Sequence, residues 1–165
     1  MTSPYSFLVD RIMIYGQLNR RPTVHRNTSQ HQLTQWQHAI TAGNQAFATG
    51  DSDSAHRAYL YGLSLAQSLL RDSRIADNAI AALVTTYHNL ADLHQRAGHL
   101  DLAADQLCAI HRQLTRLADV GALHNAAMHH QRRTQLELMR FIAEHPQYGH
   151  LIPALGMSHA HGLLH

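Results

Sequence analysis

The chain is predicted to be all-α. Three observations carry that prediction: apolar residues recur at helical spacing from His31 to Glu144, no segment alternates with a period of two, and the composition suits close-packed helices. Of the 165 residues, 45% are hydrophobic but only 6% aromatic, with alanine and leucine abundant. The charged fraction of 15% is too low for a disordered polyelectrolyte. This length suits a single domain with a sizeable core.

In chain order, residues 1–30 read as an N-terminal arm and linker. Ser3 and Pro4 are suited to start a helix, and Leu8, Ile12 and Tyr15 share one helical face before Gly16. The polar stretch 17–30, with Pro22, reads as the linker. A helical domain is expected over 31–144. Its first helix carries Trp36, Ile40, Gly43 and Phe47 at i, i+4, i+7 and i+11, and Gly50 with Asp51 closes it. Asp51 or Ser52 caps the second helix, whose inner face is Ala55, Tyr59, Gly62, Leu63, Ala66 and Leu70. After the polar break Arg71–Arg74, the third helix presents Ile80, Leu83, Tyr87, Leu90 and His94, and Gly98 ends it. The fourth bears the longest stripe: Leu100, Ala103, Leu107, Ile110, Leu114 and Leu117. A fifth, from about Val120 to Glu144, turns Leu123, Ala127, Leu138 and Phe141 inward. Residues 145–165 read as a histidine-rich tail.

The two helix pairs repeat. Gly50 and Gly98 are 48 residues apart, and so are Ala55 and Ala103. With Ala42-Gly43, Phe47, Gly50-Asp51, Ala55 and Tyr59 in one unit, and Tyr87, Leu90-Ala91, Gly98, Ala103 and Leu107 in the next, the chain resembles the tetratricopeptide-repeat family. The resemblance covers about residues 31–117. It departs from the family in its 48-residue period, against ~34 in that family, and in lacking the closing proline of each unit. It implies antiparallel hairpins of about five helices, with the C-terminal helix as a cap.

The resemblance also implies a concave groove lined by Gln37, Ile40, Asn44 and Phe47 from the first unit. The second unit would add His88, Asn89, Asp92, Gln95 and Arg96. Amides can bond a peptide backbone and a guanidinium can hold a carboxylate, so the expected function is a protein–protein scaffold or adaptor that takes a protein or peptide partner. The same polar residues would equally suit a solvated helix face. Chaperone-binding members of the family clamp a C-terminal carboxylate with Lys, Asn and Arg. Asn44 and Asn89 stand at two clamp positions, but Ile40 replaces the lysine, which disfavours that partner.

The alternative reading is metal handling. There are 16 histidines, and the tail places His159, His161 and His165 within seven residues, downstream of His145 and His150. Imidazoles suit Zn, Ni or Cu ions. Among the scattered histidines, His94 is expected to be a core or half-buried histidine, and His129-His130 exposed. Self-association as a homodimer through the leucine-rich fourth helix is a third expectation.

Other chemistries are set aside. Gly62-Leu63-Ser64-Leu65-Ala66 superficially resembles a nucleophile elbow, but it falls mid-helix. Phosphate loops, dinucleotide fingerprints and zinc-hydrolase helices are missing, and Glu137 and Glu144 are the only glutamates. The chain is therefore not expected to be an enzyme. All 13 basic residues are arginines, scattered rather than striped, and the formal net charge is +2, which argues against nucleic acid. A lone Cys108 cannot form an internal disulfide and is expected to be a packed thiol. No apolar run reaches the ~20 residues of a membrane span, and the segment from Phe7 to Tyr15 is a poor signal peptide. A cytoplasmic location and no membrane partner are expected.

Overall fold

The computed structural model describes residues 24–155. Among these residues there are five α-helices and no strand: α1 (Val24–Thr49), α2 (Ser52–Leu69), α3 (Ala76–Arg96), α4 (Leu100–Ala118) and α5 (His124–Glu144). A short 3-10 turn, Ser73–Ile75, precedes α3, and a 3-10 segment, Pro146–Leu155, follows α5.

The 48-residue period is written into the backbone hydrogen bonds. At the end of α1, Gly50 N–H donates to Phe47 O and Asp51 N–H to Ala46 O. At the end of α3, Gly98 N–H donates to Gln95 O and His99 N–H to His94 O. Both pairs are the two bonds that close a helix through a left-handed residue, and φ is 81° at Gly50 and 77° at Gly98. A side chain is disfavoured at such φ, so glycine stands at both turns. The next helices also start alike, with Ala55 N–H on Asp51 O and Ala103 N–H on His99 O. Asp51 adds a side-chain cap to Ser54 N at 3.0 Å.

Small residues set how closely α1 and α2 approach. A Cβ on Gly43 would lie 2.6 Å from Tyr59 Cδ1, and one on Gly62 would lie 3.0 Å from Ile40 Cδ1. The Tyr59 ring therefore packs directly against α1 at Gly43, and Ile40 fills the notch at Gly62. Trp36, fully buried, donates from Nε1 to Thr86 Oγ1 at 2.9 Å and joins α1 to α3. Thr86 in turn donates to Ala82 O. The main core runs from Leu33 through Tyr59, Leu69, Leu83 and Leu90 to Ile110, Leu114 and Ala127. A second cluster joins Ala91, Ala103, Leu107 and Cys108 to Leu138 and Phe141, with Tyr148 and Leu151 packed against it.

Each helix packs on its neighbours in sequence, and α3 also touches α1 on one side and α5 on the other. The bridging contacts advance in step along the helices. From α1 to α3 they are Trp36 to Thr86, Asn44 to Asn89 and Phe47 to Arg96. From α3 to α5 they are Asp77 to His130 and Gln95 to Glu144. Helices α1, α3 and α5 thus form a parallel row, with α2 and α4 antiparallel to them.

Three boundaries differ from the sequence reading. Helix α1 begins at Val24, so 24–30 is helix rather than linker, and Ser29 anchors it by donating to Asp72 Oδ2 at 2.7 Å. Helix α5 begins at His124 rather than near Val120. Residues 146–155 are not tail but a 3-10 segment held by Tyr148 and Leu151. The fourth-helix stripe is buried within the chain at Ala103, Leu107, Ile110 and Leu114, which removes it as a surface for self-association. Among the described residues, no helix is long and apolar enough to cross a membrane.

Candidate functional site

The expected groove residues come from α1 and α3, and the parallel row does bring several of them together. Asn44 Oδ1 accepts from the Tyr59 hydroxyl at 2.8 Å and from Asn89 Nδ2 at 3.2 Å. Three residues from three helices therefore share one oxygen. Phe47 and Arg96 also meet: the guanidinium lies 4.7 Å from the ring centroid, and Nη1 donates to Phe47 O at 3.3 Å. Gln95 donates from Nε2 to Glu144 Oε2 at 3.2 Å and lies 3.3 Å from His145 Nε2.

Three expected groove residues are not available to a partner. Ile40 is fully buried, because its side chain fills the space above Gly62. His88 is also fully buried. Burial, joined by the charges of Arg133, Arg140 and His130 on α5, lowers its pKa to about 3. Asn89 is 3% exposed and bonded to Asn44. Its amide therefore ties helices together instead of reading a peptide. Gln37, Asn44, Phe47, Asp92 and Gln95 are half-buried, and Arg96 is exposed. The accessible part of the site is thus the C-terminal end of the row.

Helix α5 contributes groups to that end which the sequence reading did not assign. A narrow cleft is lined by Asp92 and Gln95 of α3 and by Glu137, Arg140, Phe141 and Glu144 of α5. Arg140 Nη2 pairs with Glu137 Oε2 at 2.9 Å. The spacing of Glu137, Arg140 and Glu144 by three and four residues signals one shared helical face, but only the packing of α5 beside α3 turns that face to the site. Nearby, burial and the Asp92 carboxylate raise the pKa of the Tyr59 phenol, so its hydroxyl stays a hydrogen-bond donor.

The remaining histidines divide by burial. His56, His94 and His99 cluster with ring centroids 5.6 and 6.5 Å apart, and burial followed by its two neighbours lowers the pKa of the half-buried His94. His111 Nδ1 lies 3.2 Å from Thr134 Oγ1 inside the α4–α5 interface. His129 is exposed as expected, but His130 is buried beside Asp77, at 3.3 Å. Burial outweighs that carboxylate, and the His130 pKa is lowered. Cys108 is buried and its thiol pKa is raised, as befits a packed, unreactive group.

Among the described residues, no three His, Cys, Asp or Glu side chains are placed to hold a metal ion. His145 packs on the Phe141 ring, and His150 Nδ1 lies 3.3 Å from Gln147 O. The proposed tail ligands His159, His161 and His165 lie outside the described residues. Ser64 sits within α2 and donates to Tyr61 O at 2.8 Å, so it is no elbow nucleophile.

No curated protein and no solved structure matches the chain. One family model does match, over residues 34–155, and its description is "Protein of unknown function (DUF2753)". That span runs from within α1 to the end of the 3-10 segment and covers well over half of the chain. The chain belongs to the DUF2753 family.

Proposed function

We propose that this protein is a non-enzymatic adaptor of tetratricopeptide-like architecture, which docks a segment of a protein partner on the C-terminal end of the α1–α3–α5 row. The observation that carries the reading is the parallel alignment of those helices, α1 and α3 through the 48-residue repeat and α5 through its contacts with α3. It collects Phe47, Arg96, Gln95, Asp92, Arg140 and Glu144 at one end of the array. This end offers an aromatic ring, two guanidiniums and carboxylates within one surface, a set suited to a mixed-charge peptide. Gln95 and Arg96 are the reading residues; Asn44 and Asn89 set the spacing of the helices that carry them.

The test is affinity co-purification from the native host. Wild type is compared with the Gln95→Ala, Arg96→Ala double variant, whose positions are peripheral to the core. A protein captured stoichiometrically by wild type and at least ten-fold depleted with the variant supports the reading. Capture of the same proteins by both chains refutes this end of the row as the docking surface.

A further inference from the structure

Helix α5 has the register of the first helix of a third repeat unit. A step of 48 residues carries Ala79, Thr86, Leu90 and Leu93 of α3 onto Ala127, Thr134, Leu138 and Phe141 of α5. All of these side chains are buried, and the first three pairs are identical residues. The same step maps the edge of α3 that α5 covers. Asp77 meets His130, Gln95 meets Glu144, and charges on α5 act on His88, so this edge points at α5. Its counterparts on α5 are Asn125, Leu136 and Ala143, and all three are exposed.

Around them run Met128, Arg132 and Met139. With Leu136 and Ala143 they are spaced by four, four, three and four residues, a single helical face about 22 Å long. On α3 the matching Ile80, Val84, His88 and Ala91 are buried, whereas on α5 Met128, Leu136 and Met139 are 50%, 57% and 42% exposed. Helix α3 has α5 beside it in the row, and among the described residues no helix packs beyond α5. Repeat arrays close with polar outer faces. Helix α1 obeys that rule, since its exposed residues from position 30 to 45 are Gln30, His31, His38, Thr41, Ala42 and Gln45. Helix α5 does not.

The charge on the stripe has one sign. Arg132 lies within it, while the glutamates of α5 sit on the α3 side, Glu144 on Gln95 and Glu137 in the cleft with Asp92. A second copy is a poor occupant. Two α5 faces would bring Arg132 against its own copy, and α1 offers no carboxylate from Val24 to Thr49. A lipid surface fits no better, because the stripe lacks the aromatic residues of interfacial helices. Leucine and flexible methionines at helical spacing suit another helix.

We propose that the outer face of α5 docks an amphipathic helix of a partner protein, aligned with the row as its fourth rod. Apolar residues of that helix cover Met128, Leu136 and Met139, and a carboxylate pairs with Arg132. This surface is separate from the C-terminal end of the row, so the two docking readings fail separately.

The probe is a fluorescein-labelled synthetic peptide of about five helical turns, with leucines at i, i+3, i+4 and i+7 and glutamates beside them. A twin peptide carries lysines in place of the glutamates, and binding to the full chain is read by anisotropy. Saturable binding of the glutamate peptide is expected, weakened at least ten-fold by Leu136→Ser with Met139→Ser. Arg132→Glu should reverse the preference in favour of the lysine peptide. Circular dichroism and thermal melts check that these exposed substitutions leave the fold intact. Equal binding of both peptides to wild type, or binding unchanged by Leu136→Ser with Met139→Ser, overturns the proposal. Loss of binding in the Gln95→Ala, Arg96→Ala variant overturns it too, by moving the helix to the end of the row. So does a dimer in light scattering, or adsorption to phosphatidylserine vesicles, that Leu136→Ser with Met139→Ser abolishes, because the stripe would then serve a second copy or a membrane.

Discussion

Asn89 donates its side-chain amide to Asn44 across 3.2 Å, so the two asparagines that a peptide groove would present to a partner are bonded to each other. The Tyr59 hydroxyl completes the arrangement at 2.8 Å. Removing the shared acceptor leaves a buried amide and a buried phenol without it, and an unsatisfied buried donor costs about 1–3 kcal/mol. Asn44→Ala is therefore expected to lower unfolding stability by roughly 2–4 kcal/mol, read as a reduced urea midpoint with an unchanged slope. An unchanged midpoint would show that water replaces Asn44 freely.

Gly43 is small because Tyr59 lies on it. A methyl at that position meets the ring in its resting place, so Gly43→Ala is expected to destabilise the chain by about 1–3 kcal/mol. That is opposite to the gain normally seen for Gly→Ala inside a helix. Thermal melts of Gly43→Ala alone and combined with Tyr59→Leu check the cause. The smaller, flexible side chain should make the added methyl far less costly.

Trp36 is the only tryptophan, is fully buried and is tied to Thr86. Its fluorescence should be blue-shifted and shift red on unfolding. Thr86→Val keeps the shape but leaves the indole N–H buried and unpaired, with an expected loss of about 1–3 kcal/mol. Equal stability of wild type and Thr86→Val would place water or another acceptor at the indole.

Acid should unfold this chain through its histidines. His88, His94, His111 and His130 all have folded pKa values below the ordinary 6.5, principally because burial penalises the charged form. A depressed histidine is neutral in both states above pH 6.5, so its neutral form contributes no penalty there. Below pH 6.5 the unfolded chain takes up protons that the folded chain resists, and stability falls until the folded pKa is reached. For His88 that window extends from 6.5 down to about 3. Urea unfolding between pH 7.5 and 5 should show a steady loss, and His88→Gln should flatten it. A pH-independent midpoint would contradict the burial of His88.

Much of the fold was legible in the sequence because apolar spacing reports which face of a helix is covered. Helices α2 to α5 have one such stripe each, and Leu123, Ala127, Leu138 and Phe141 are buried as read. The first turns of α1 were not legible, because 24–30 is polar and its anchor is a single hydroxyl, Ser29, on a distant aspartate. Pro146, Gly149 and Pro153 break any helical period, which hid the packing of Tyr148 and Leu151. The site was half legible. Periodicity put His88 and Asn89 on the right helix, but their burial depends on α5 and α1, which flank α3 through contacts far apart in sequence.

The most direct test of the docking reading is site-specific photocrosslinking in the native host. A photoreactive phenylalanine is placed either at Gln95, at the C-terminal end of the row, or at the exposed Tyr61 of α2, on the other layer. The expected result is a discrete crosslinked protein from position 95, absent from position 61 and competed by excess unlabelled wild-type chain. Crosslinks from position 61 alone, or none from position 95 at full expression, would contradict the assignment of this surface as the docking site.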